Sequence, residues 1–173
     1  MNLWTTPTQQ YRGVMTAVNS TRPAAVFRHH PWKKGTTNAD LGGGRFDAAT
    51  EFLSTIGVRN IIWDPFARGD DANLEALRQI RDHRAHTVTC TNVLNVIAEP
   101  ENRLKLIREA ADALRSGGRA IFQIYEGDGS GIGRETKPDC WQENRKAETY
   151  RLEILAARAF TCIDRVGGYI YCI

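Results

Sequence analysis

Apolar and polar positions along this chain switch repeatedly between a two-residue and a three-to-four-residue period. Thr36 to Leu41 is strand-like and runs into a glycine turn. Asp47 to Thr55 then carries Phe52, Leu53 and Ile56 on one side of a helix that Gly57 stops. Val58 to Trp63 is a short apolar run closed by Asp64-Pro65. Asp70 or Asp71 caps the next helix, in which Leu74, Leu77 and Ile80 recur every third residue. His86 to Val96 is rich in β-branched residues and reads as a third strand. Pro100 opens a helix that turns Leu104, Ile107, Ala111 and Leu114 inward and ends at Gly117-Gly118. Arg119 to Tyr125 forms a fourth strand, and Glu126 to about Asp139 a polar, glycine-rich loop. Asn144 to Arg158 is helical, with Tyr150, Ile154 and Ala157 on one stripe. Phe160 to Val166 and Tyr169 to Ile173 pair as a hairpin about Gly167-Gly168.

Strands alternating with helices define the α/β class, here a Rossmann-like open, mostly parallel sheet with an antiparallel C-terminal hairpin. That domain is expected over residues 36–173, preceded by a lead segment over residues 1–35. Open sheets of this kind bind ligands at the carboxyl ends of their strands, where the strand order reverses.

Composition narrows the class. The chain has 173 residues, 42% of them apolar and 25% charged, enough to bury a core and too apolar for a disordered chain. No apolar run approaches the roughly twenty residues of a membrane span. Met1 to Pro7 has no charged start leading into an apolar stretch, so a cytoplasmic location without a secretory signal is expected. Cys90, Cys140, Cys162 and Cys172 form no C-x-x-C pair, and Cys162 and Cys172 lie in apolar segments as small hydrophobes. No metal site is expected, since the adjacent His29 and His30 cannot share a face in regular structure.

The net charge of +3 matters less than its distribution. Arg12, Arg22, Arg28, Lys33 and Lys34 precede residue 37 with no Asp or Glu among them, leaving 18 basic against 20 acidic residues in the rest. Such a lead either meets a polyanion, nucleic acid being the natural candidate, or is a solvated helix and loop.

Candidate chemistry concentrates in Asp40-Leu41-Gly42-Gly43-Gly44-Arg45-Phe46-Asp47, between the first strand and its helix. The glycines let a ligand approach the backbone, and the helix start offers free N–H groups. Asp64 ends the second strand, where a carboxylate can accept the hydroxyls of a ribose. The pair therefore points to a nucleoside-containing cofactor. A pyrophosphate fingerprint would need a third glycine where Asp47 stands, and acids at 40 and 47 would repel it. S-adenosylmethionine carries an ammonium and a sulfonium and no phosphate, so an acidic glycine loop suits it. No G-K-[ST] is present for a Walker loop.

These residues resemble the class I S-adenosylmethionine-dependent methyltransferases. The resemblance runs from about residue 36 to the C-terminus. It rests on Asp40-x-Gly42-x-Gly44, Asp64, Thr91 to Ile97, the Leu114 to Gly118 turn and the terminal hairpin. Asp64-Pro65-Phe66, Asn92-Val93-Leu94-Asn95 and Tyr125-Glu126-Gly127-Asp128 look like small members carried by phages and bacteria. The resemblance implies a cofactor site made of Asp40, Gly42, Gly43, Gly44, Asp64, Pro65, Phe66, Asn92 and Val93. It also implies substrate handling near Asn92 and Asn95.

Two departures qualify it. Between Arg81 and His86 there is no room for the family's third strand and the acid that helps hold adenine, for which Asp70, Asp71 or Asn73 could substitute. Asn92-Val93-Leu94-Asn95 lacks the [D/N/S]-P-P-[Y/F] of amino-methylating DNA enzymes, and no Pro-Cys pair exists for attack on a cytosine ring. Cys90 reads as core. Tyr125 and Glu126, with Asn92, are the candidates for catalysis, because a carboxylate or phenol there could deprotonate an acceptor. Asp128, Gln142 and Asn95 are the candidates for substrate binding. Glycines 127, 129, 131 and 133 suit a mobile lid. The expected activity is methyl transfer to nucleic acid or a small molecule. The competing readings are a cofactor-binding accessory domain without transfer and a nicotinamide-binding fold.

Overall fold

The computed structural model describes residues 21–137, 140–161 and 163–173. A six-stranded sheet runs in the order β2-β1-β3-β4-β8-β7. Its strands are β1 (Thr37–Leu41), β2 (Arg59–Trp63), β3 (Ala85–Thr91), β4 (Leu114–Gln123), β7 (Ile163–Val166) and β8 (Tyr169–Cys172). The first four are parallel, and β8 runs antiparallel to both β4 and β7. The mostly parallel sheet and the closing hairpin are as the sequence implies.

Connection geometry decides which face each helix covers. From β1 the chain steps outward through α2 (Ala48–Thr55) to β2, then returns across β1 through α3 (Asp70–His83) to β3. Right-handed crossovers in opposite directions put their helices on opposite faces. Accordingly Ala49 and Leu53 of α2 pack with Val58 and Ile121 on one face. Ala76 and Ile80 of α3 pack on the other with Leu41, Val88 and Phe122, beside α4 (Pro100–Asp112) and α5 (Ala147–Ala157). The reversal lies between β1 and β3, the site-forming position of such sheets.

The short α1 (Ala25–His29) buries Val26 and Phe27 against the α2 face, so packing continues across residue 36 into the lead segment. At the other edge β2 has no further strand among the described residues. Asn73 performs part of a neighbour's job there. Its amide accepts from the Asp64 N–H at 3.0 Å and donates to the Asp64 carbonyl at 2.9 Å.

Several expectations are corrected. Leu74 is 65% exposed, and α3 instead buries Asn73, Ala76 and Ile80. At 3.6 residues per turn a three-residue spacing drifts around the helix, which carries Leu74 off the buried stripe. In α4 the buried residues are Arg103, Leu106, Ile107, Glu109 and Ala110, while Leu104 and Ala111 are half-buried. That helix ends at Asp112, before Gly117-Gly118, which lie inside β4 where its pairing with β3 is irregular. Strand β3 stops at Thr91, because Asn92 turns left-handed (φ 59°), and Leu94–Val96 form one 3-10 turn. The glycine-rich loop contains a two-stranded ribbon, β5 (Gly133–Lys137) with β6 (Cys140–Glu143). Pro138, Asp139 and Cys162 fall outside the described residues, so the packing expected of Cys162 does too.

Candidate functional site

The loop after β1 is shaped by its glycines. Gly42 and Gly44 adopt φ of 74° and 76°, a region that side chains rarely enter. A Cβ on Gly42 would lie 2.6 Å from Val93 Cγ2, and one on Gly43 would lie 2.5 Å from Asp40 Oδ2. The three glycines thus let the loop close over Asp40 beneath and against Val93 of the neighbouring loop. Asp40 is 1% exposed and accepts a hydrogen bond from Thr89 Oγ1 at 2.8 Å. Burial, aided by the nearby Asp64, pushes its carboxyl up to about 7, against the pull of Thr89 and Arg68. Asn38 donates to Thr89 and to Asn60, extending a polar chain across the sheet behind the loop.

Asp64 knits the second loop to the first. Its Oδ1 accepts from the N–H groups of Phe66 and Ala67, and its Oδ2 accepts from Gly44 N at 2.9 Å. Arg68, which sequence reasoning passed over, completes the clamp. Its Nε donates to the Gly44 carbonyl at 2.8 Å, and its Nη2 reaches Phe46 O and Asp47 Oδ1. Both backbone polar groups of Gly44, its N–H and its carbonyl, are therefore held from the β2 side. Arg68 carries no sequence signal, being one arginine in a polar turn. Pro65 and Phe66 sit half-buried in the same turn. Asn73 is engaged by the Asp64 and Arg68 backbones, so both of its amide protons are taken and it has no donor left over for adenine. Asp70 and Asp71 are exposed in the first turn of α3.

At the end of β3 the left-handed Asn92 takes the Gln123 carbonyl through its N–H, at 2.8 Å. Gln123 also donates to Asn92 Oδ1 at 3.5 Å and accepts from Val26 N at 2.9 Å, linking this corner to α1. A non-glycine residue at positive φ beside a ligand crevice is a feature that functional sites often retain. Asn95 is buried, and its Oδ1 has no hydrogen-bond partner.

The acceptor-side candidates divide. Tyr125 is 54% exposed at the carboxyl end of β4. Glu126 accepts from Ala147 N at 2.7 Å, which places its charge on the free N–H groups at the start of α5. Asp128 is exposed and accepts from the backbone and hydroxyl of Ser130, a local turn that lowers its pKa. Gln142 donates to Asn144 on the β6 side. Behind them Arg103, 1% exposed, makes a bidentate pair with Glu153 and donates to the carbonyls of Ile97 and Ala98. Arg145 joins Glu153 to Glu143. This network ties the loop after β3 to α5 and β6.

Cys90 is buried, and burial pushes its thiol up, in keeping with a core residue. Two of the basic lead residues lie away from the glycine loop. Lys33 acts on His86 at the start of β3, and Lys34 lies across Gly57 just before β2, both at the amino ends of the strands. Arg12 lies outside the described residues. Among the described residues no cluster of three potential metal ligands occurs, and no helix is long and apolar enough to cross a membrane.

No protein-family model matches the chain, and no curated protein matches it significantly. Solved structures do. It superposes on the 1,6-didemethyltoxoflavin-N1-methyltransferase of Burkholderia thailandensis with a TM-score of 0.61 and 18% identity, over 88% of this chain and 76% of that one. The sugar N-methyltransferase KedS8 of Streptoalloteichus gives 0.55 at 13% identity, over 86% and 83%. Human N-acetylserotonin methyltransferase, solved with S-adenosylmethionine, gives 0.53 at 14%, over 79% of this chain and only 47% of that one. The chain also spans only half (50%) of the calicheamicin-biosynthesis methyltransferase CalO1. The fold is that of the class I S-adenosylmethionine-dependent methyltransferases.

Proposed function

We propose that this chain is an S-adenosylmethionine-dependent methyltransferase acting on a nucleic acid or a small molecule. The observation that carries the reading is the Gly44 backbone held between Asp64 and Arg68 at the strand-order reversal, with Asn92 turned left-handed at the end of β3. The residues fit the cofactor's chemistry. Asp64, and Asp47 paired with Arg68, place carboxylates beside the loop, which suits a ligand that carries an ammonium and a sulfonium. Asp64 Oδ2 accepts one backbone bond and keeps a lone pair for a ribose hydroxyl. When bound, the cofactor supplies a methyl group already activated on sulfur. What the chain adds is position: the glycine loop admits the ligand to the backbone, and Asp64 and Asn92 flank it. Asp40 acts from beneath, through Thr89 and the loop.

A second reading, cofactor binding without transfer, draws support from Glu126 and Asp128. Both carboxylates are already engaged, one on the α5 N-terminus and one in its own turn. Isothermal calorimetry with S-adenosylhomocysteine and with NAD tests the shared premise. The expected result is binding of the former alone, weakened in Asp64→Asn by about 1.5–3 kcal/mol through loss of a charge-assisted bond. Absence of S-adenosylhomocysteine binding would overturn both readings. Transfer of labelled methyl to oligonucleotides and small amines separates one from the other.

A further inference from the structure

At the amino ends of the strands, opposite the glycine loop, an imidazole meets cations with no carboxylate between them. His86 near the start of β3 faces Arg115 of β4 and Lys33 of the loop before β1. None of the ion pairs among the described residues involves Lys33, Lys34 or Arg115.

Hydrogen bonding makes this corner incomplete. The Thr37 backbone N–H points at His86 Nδ1, at 3.2 Å. A backbone N–H can only donate, so Nδ1 presents its lone pair and the neutral ring carries its proton on Nε2. Nε2 in turn lies 2.7 Å from Arg115 Nη1, a group that has no lone pair. Two donors confront each other. Moving the proton to Nδ1 only transfers the conflict to Thr37, and a doubly protonated ring suffers it at both nitrogens. Burial, Arg115 and Lys33 all disfavour that charged ring. An acceptor carrying negative charge resolves the conflict, taking Nε2–H and the Arg115 fork together while Lys33 adds charge.

We propose that His86, Arg115 and Lys33 form a binding site for a phosphate oxyanion at the end of the sheet remote from the glycine loop. Arg115 is exposed, so its fork can swing to admit the ligand. The phosphate belongs either to a polynucleotide backbone or to a free anion. The site stands independently of the methyltransferase reading.

Ring-resonance NMR of His86 in the intact chain tests it, with inorganic phosphate and a single-stranded oligonucleotide as separate probes. Free protein should show His86 titrating below its ordinary value, and phosphate should raise it. Arg115→Gln should weaken phosphate binding about tenfold, and Lys33→Gln less. If the oligonucleotide moves the same ring, and Arg115→Gln flattens its log–log salt slope by about 1, the source is a polynucleotide. If phosphate alone does so, the site serves a free anion. A His86 ring indifferent to both probes, or phosphate binding equally well to Arg115→Gln, overturns the proposal.

Discussion

Asp40 gives the pH dependence of stability a definite sign. Its carboxyl titrates near 3.8 when solvated and about 7 in the fold, chiefly because burial disfavours the charge. Between those values the folded state keeps a proton that the unfolded chain has lost, so stability falls as pH rises through this window and levels off above it. Asp40→Asn keeps an acceptor for Thr89 and removes the charge. It should be more stable than the wild type by roughly 2–4 kcal/mol at about pH 8, and by less than half of that at about pH 5. Urea melts at the two pH values read this out, and a pH-independent difference would contradict it. Glu109 is also pushed up to about 7 by burial, but it is common to both proteins and cancels. The glycines sharpen the same lesson. Gly42→Val drives a branched side chain into Val93 at a backbone angle it resists, so loss of ligand binding in that variant would report on the loop's folding as well as on its contacts.

Elements differ in how clearly they announce themselves. Helix α5 was legible because Tyr150, Ile154 and Ala157 share a stripe that is buried in the fold. The β5–β6 ribbon was not, because Arg134, Glu135 and Thr136 are exposed in succession and no apolar face alternates along it, Ile132 just before it being 71% exposed. The start of α5 also reassigns a residue. Glu126 follows the fourth strand in the sequence and invites a catalytic role, yet the fold points it at Ala147 N. Glu126→Gln retains an acceptor oxygen there and should unfold within about 0.5 kcal/mol of the wild type, whereas Glu126→Ala should lose about 1 kcal/mol. Thermal melts of the two variants separate a cap from a residue whose charge alone matters.

At the scale of the molecule, the buried Arg103 holds together parts distant in the chain. It reaches Ile97 and Ala98 ahead of its own helix and Glu153 fifty residues on, and Glu153 is shared with Arg145. Arg103→Met leaves those carbonyls without a donor and Glu153 with one cation instead of two. A loss of about 3 kcal/mol is expected by denaturant unfolding. A loss below about 1 kcal/mol would show that the network is not a structural tie.

The sequence by itself determined the class of fold, the alternation of strands and helices along the chain, the glycine loop after the first strand and the place of Asp64 at the end of the second, because each rests on local periodicity or on glycine's freedom at positive φ. It also showed that no strand fits between Arg81 and His86, as a plain shortage of residues, and among the described residues β2 is the edge. Only the tertiary structure decided that Asn73 takes the Asp64 backbone after β2 and that Arg68 takes the Gly44 carbonyl, since both act on backbone groups that an alternation pattern does not register. It likewise decided that Glu126 faces a helix end and that Lys33 lies at the opposite end of the sheet from Asp64. Those placements depend on crossover handedness and on contacts between residues far apart in the chain, which no window of neighbouring residues contains.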